Sequence, residues 1–186
     1  PPADFTVGLL TPTGGNQVDG IWNLTNTGMD IIIPVANDTT LKNGTVQLYG
    51  KVGPNSFEVL GSISTILSNE INANKIISVP GTLIEGLTGF SEGQRIYIKA
   101  AMNDRPGNIT EGSQSITEIL IDETPASITP ISILSSNNNT ALAKVGDTVS
   151  VSFTTSENLI DTAATISGQN AMITSLDGNQ FVAVYV

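Results

Sequence analysis

The feature that most constrains the fold is a succession of short runs rich in Val, Ile, Thr and Phe, each closed by Gly, Asn, Pro or Asp. Such runs read as strands, because β-branched and aromatic side chains suit a pleated surface, and the intervening residues supply turn geometry. Helical periodicity is nearly absent. The runs predict strands over 6–10, 30–36, 45–52, 57–66, 75–79, 95–103 and 115–122. Within the sixth, Ile96 and Ile98 point one way while Arg95, Tyr97 and Lys99 point the other, so one face is buried and one is wet. Leu83, Ile84 and Leu87, at helical offsets ahead of Gly89, predict one short turn of helix within 82–87, crossing between sheets.

At Asp122-Glu123-Thr124-Pro125 a strand ends in acids and a proline, and a second series of runs follows over 128–134, 148–154, 164–166, 171–174 and 180–186. This predicts two modules, 1–123 and 124–186. Pro125 fixes one φ angle and biases Thr124 toward extended geometry, so the link reads as a semi-rigid hinge with ordered packing between the modules. Two sheets closing over one core need about seven strands. The first series supplies them; the second supplies fewer before the chain stops inside a strand. The expected architecture is all-β, two β-sandwich modules in tandem, the second incomplete at its C-terminal end.

Composition excludes several function classes. Seventeen acids against seven bases give a net charge of −10, a field that repels phosphate backbones and anionic lipid surfaces, so no nucleic-acid partner is expected. No stretch approaches the about 20 apolar residues of a membrane helix, so no membrane insertion is expected, and any export signal is expected outside this sequence. Cysteine and histidine are both absent, which removes thiolate nucleophiles, disulfides, the usual zinc ligands and the usual general base. No Gly-x-Ser-x-Gly elbow occurs, and no spacing among the acids picks out a catalytic pair. The chain reads as no enzyme.

Two stretches resemble bacterial immunoglobulin-like repeats, the modules strung together in large surface adhesins and other exported proteins. Ile98-Lys-Ala-Ala-Met-Asn-Asp-Arg-Pro-Gly-Asn-Ile-Thr is similar to their penultimate strand and the Asp-x-x-Gly-Asn turn after it; Arg105-Pro106 departs from the small residues frequent there. Ala141-Leu-Ala-Lys-Val-Gly-Asp-Thr-Val-Ser-Val-Ser-Phe-Thr-Thr-Ser-Glu resembles their second strand and the acid that follows it. The resemblance implies immunoglobulin-like or fibronectin-III-like sandwiches, an extracellular or cell-surface location, neighbouring modules of the same long chain as partners, and work as a spacer or stalk. The alternatives it leaves open are a module that itself binds glycan or protein, and an accessory domain of a secreted enzyme.

Three candidate sites follow. Calcium takes six to eight oxygen ligands, and Asp104, Asn108, Asp122 and Glu123 are its candidate donors, with Glu157 a further one from the second module. Against a shared site, a plain hairpin of the last two strands puts Asp104 and Asp122 at opposite ends. The competing reading makes Asp104 and Asn108 a turn held by their own side chains, and Glu157 a solvated acid at a strand end. Trp22, the sole tryptophan, is either a stacking platform for sugar or a core residue. Tyr49, Tyr97 and Tyr185 sit within expected strands and show no clustering. Asn-x-Ser/Thr triplets begin at Asn23, Asn37, Asn43, Asn108 and Asn138, as expected by chance in so Asn- and Thr-rich a chain.

Overall fold

A computed structural model describes residues 1–159 and 162–186. The protein is mostly β, and it divides into two compact units, Pro1–Thr124 and Pro125–Val186. Among the described residues no helix is long and apolar enough to cross a membrane.

Unit one is sandwich-like. One sheet has the order β1 (Leu10–Thr13), β3 (Gly28–Val35), β6 (Ala73–Pro80), all antiparallel. The other runs β2 (Ile21–Trp22), β9 (Ile119–Ile121), β7 (Arg95–Asn103), β4 (Thr45–Val52), β5 (Glu58–Thr65), with β8 (Ile109–Glu111) also on β7. Alternation sets the core. Met29, Ile31, Ile33 and Val35 from one sheet and Val46, Leu48, Ile96, Ile98 and Met102 from the other are all buried in a single apolar cluster. The short helix α1 (Gly81–Glu85) leads out of β6 and buries Ile84 in the same cluster; it lies where the apolar offsets predicted a helical turn.

Lys75 faces inward from β6 and is only 5% exposed. A buried ammonium demands partners, and it donates to Glu70 at 3.0 Å and to the Thr65 carbonyl at 2.9 Å. The Glu70 carboxylate in turn accepts the Leu67 amide at 2.7 Å. This staple ties the crossing from β5 to β6.

Of the run expected at 115–122 only Ile119–Ile121 is strand, as β9, and the short β8 (Ile109–Glu111) precedes it. Between β8 and β9 the backbone passes close under the Phe5 ring at Gly112, where a Cβ would overlap that ring. The residues beyond are drawn toward the N-terminal segment: the Ser113 amide donates to the Phe5 carbonyl at 2.8 Å, and the Ile116 amide to the Val7 carbonyl at 3.1 Å. Likewise the first expected strand is shifted, to Leu10–Thr13, because residues 5–7 pair elsewhere.

Unit two has one four-stranded antiparallel sheet in the order β10 (Ile128–Ser135), β11 (Val149–Thr155), β15 (Gln180–Tyr185), β14 (Met172–Ser175). A two-stranded hairpin, β12 (Thr165–Ile166) and β13 (Gln169–Asn170), completes its described strands. The register lines Ile131 up with Phe153 and Phe181, and Ile133 with Val151 and Ala183, giving the sheet an apolar face. Phe153 and Phe181 stack at 5.5 Å. Yet Ile131 and Ile133 remain over 60% exposed, at 62% and 64%.

Candidate functional site

Each chemically suggestive residue is best read from the backbone that holds it. Asp104 follows the last residue of β7, and its two carboxylate oxygens accept from Asn108: the backbone amide at 2.7 Å and the side-chain amide at 2.9 Å. The Gly107 amide donates to the Asp104 carbonyl at 3.0 Å, with Gly107 at φ 97°, a conformation that favours glycine. The Arg105 amide donates to the Thr40 carbonyl at 2.9 Å, which pins the turn to the neighbouring loop. Asp104 and Asn108 are thus brought together as a turn bonded to itself.

Burial opposes ionisation of the Asp104 carboxyl, but the Asn108 side-chain and backbone donors outweigh it, helped by the N-terminal ammonium and the Gly107 amide. The group is held below the ordinary carboxylate range. A depressed folded-state pKa contributes stability that is complete above the unfolded value and vanishes as pH falls through the folded one. Asp104→Asn should therefore flatten the acid limb of the stability–pH profile, measured by urea unfolding from neutral to acid pH. An unchanged limb would refute the turn's role.

Asp122 lies elsewhere. It follows β9, where the Ile121 amide donates to the Gln94 carbonyl just ahead of β7. The nine residues of β7 separate it from Asp104, roughly 30 Å of strand. Its carboxyl is pushed above the ordinary range by burial first and by the adjacent Glu92 second. Glu92 also accepts the Glu123 backbone amide at 2.8 Å. The four candidate calcium donors therefore fall into two pairs at opposite ends of unit one and do not share a site, because the register of β9 on β7 sets their positions. Glu157, in unit two, offers its backbone carbonyl to the Thr155 hydroxyl at 2.6 Å. Among the described residues no group of three or more Asp, Glu, His or Cys side chains converges.

Trp22 is fully buried in the core of unit one, edge-to-face with Phe90 at 6.5 Å and 89°. A ring with no exposed surface is no platform for sugar, so that alternative is corrected. The loop around it is knitted by its own polar side chains. Asn23 accepts the Thr25 amide and hydroxyl, and Asn26, itself buried, bonds the Asn23 amide and the Gly14 carbonyl.

Sequence spacing also missed an aromatic–lysine lattice on the outer face of the larger sheet. Register sets Tyr49 opposite Lys99 and Lys51 opposite Tyr97. The Lys51 and Lys99 ammonium groups each lie 5.1 Å from the Phe57 ring centre. Tyr49 and Tyr97 do cluster, across strands rather than along the chain. These rings and stems cover one another, which stabilises the sheet face.

The remaining arrangement of note joins the two ends of unit one. Residues 5–7 run parallel beside 113–116, bonded from the Val7 amide to the Ser113 carbonyl at 3.2 Å and by the two return bonds described above. The Thr110 hydroxyl donates to the Pro2 carbonyl at 2.7 Å. Farther along, β2 runs parallel to β9, with the Leu120 amide on the Gly20 carbonyl at 2.9 Å and the Asp122 amide on the Trp22 carbonyl at 2.8 Å. Elsewhere in the unit the strand ladders are antiparallel. No protein-family model and no curated protein matches the chain.

Proposed function

We propose that unit one is a load-bearing spacer of a long exported, cell-surface protein, an immunoglobulin-like module working beside neighbouring modules of the same chain. The parallel pairing of its first and last segments carries this reading. When two parallel strands are pulled from opposite ends, their hydrogen bonds lie across the direction of force and must yield together. Antiparallel strands pulled from adjacent ends open one bond at a time. Tension entering at Pro1 and leaving at Thr124 therefore shears both parallel contacts. The use of Trp22, Asp104 and Lys75 as core, turn and staple fits the same role, since each holds shape.

The test is single-molecule pulling of the whole chain from its two ends. Opening of unit one should appear as a gain of roughly 40 nm. Val7→Pro deletes the amide that bonds Ser113, whereas Val7→Ala keeps the amide and loses only core methyl groups. The proline variant is expected to open at clearly lower force than the alanine variant. Equal forces for the two variants would remove the reading.

A further inference from the structure

We propose that the flank of unit one between β5 and β6 is a docking groove for an extended, apolar peptide strand with basic flanks. The two strands are consecutive in the chain but lie at the open edges of different sheets: β5 pairs only with β4, and β6 only with β3. Each is eight residues long and turns an unpaired backbone edge toward solvent. Between them is a cavity of about 390 Å³ floored by the buried Leu48, Leu60 and Val79 and rimmed by Ile63, Ile76 and Leu83. Those rim residues are 62%, 60% and 42% exposed, so apolar surface faces water on both sides of the opening. Contiguous apolar surface of this kind marks interaction sites, whereas scattered exposed side chains do not.

Backbone chemistry selects the occupant. An open strand edge offers alternating amides and carbonyls, which an added strand satisfies while its alternate side chains enter the pocket. A bulge opens β5 at this point: register slips between Val46 and Leu48, and the Gln47 side-chain amide fills the gap by donating to the Gly61 carbonyl. Charge sets the flanks. The lining of the groove holds no charged side chain. Asp30 accepts from the lining Ser78, and Glu58, which also accepts from Thr88, and Glu85 each stand two residues along the chain from a lining leucine. The one cation on β6, Lys75, is buried and already paired with Glu70. A strand carrying Lys or Arg outside its apolar centre complements this pattern, and an acidic one is repelled.

The probe is a synthetic ten-residue peptide of alternating valine and threonine with two lysines at each end, titrated into the whole chain and followed by backbone amide shifts and hydrogen exchange. Amides of β5 and β6 are expected to shift and gain protection. Ile76→Lys and Ile63→Lys, exposed changes on opposite rims, should each weaken binding about tenfold or more. A peptide with proline at the threonine positions, which loses amide donors, and one with glutamate for lysine should not bind measurably. The proposal is overturned if shifts map to another surface, if both rim variants bind as the parent does, if the proline peptide binds equally, or if the chain instead dimerises through this edge. Pulling experiments on the parallel pairing of the first and last segments are independent of every one of these outcomes.

Discussion

Trp22→Ala is expected to lower the unfolding free energy of unit one by about 4 kcal/mol, within the range for large aromatic-to-alanine changes in a packed core. The side chain is fully buried, so truncation leaves a cavity against Phe90 and the surrounding aliphatic residues. The effect also reaches the parallel pairing of the first and last segments. The Trp22 carbonyl accepts from Asp122, and a core that relaxes around position 22 loosens the pairing of β2 with β9. Trp22→Phe is expected to be much milder. The indole Nε1 is buried without an acceptor, and an unpartnered buried donor opposes folding by about 1–3 kcal/mol, a penalty that phenylalanine does not carry. Calorimetric or urea unfolding of the three proteins checks both statements. Equal stability of the alanine variant and the parent would show that the ring does not hold the core.

Separating the units should produce the other large effect. Residues 1–124 contain the whole cluster of 22 buried apolar side chains and are expected to unfold cooperatively on their own. Among the described residues of 125–186 only Phe181 and Ala183 are buried apolar side chains, while Ile131, Ile133, Leu134 and Met172 stay exposed. A domain of about 60 residues is marginal even with a complete core. Expressed alone, 125–186 is predicted to show no sharp melting transition, to bind an apolar dye strongly, and to be digested by protease long before 1–124. A sharp, dye-silent, monomeric transition from that fragment would contradict the account of its uncovered sheet.

What was legible in the sequence was local. Ile96 and Ile98 alternate with Arg95, Tyr97 and Lys99, and that pattern assigns core and solvent faces without knowledge of any partner strand. The Asp-x-x-Gly-Asn turn was equally readable, since its bonds close within five residues. Features that depend on distant partners were not. The two-residue strand β2 exists because it meets the three-residue β9 across nearly a hundred residues. The Tyr49–Lys99 and Lys51–Tyr97 pairs required the register of β4 on β7. Trp22 stood between core and surface in the sequence because its partner, Phe90, lies on a remote loop. The strand expected over 115–122 is shorter, Ile119–Ile121, for the same reason: the pull of Phe5 and Val7 on residues 113–116 comes from the opposite end of the unit.

Because the chain has one tryptophan and it lies in unit one, indole emission is an optical label for that half alone. Unit two, whose aromatic residues are Phe153, Phe181 and Tyr185, stays dark under excitation selective for tryptophan. The spectrum of the intact protein should begin blue, as befits a dry ring, and move red only when the first unit opens.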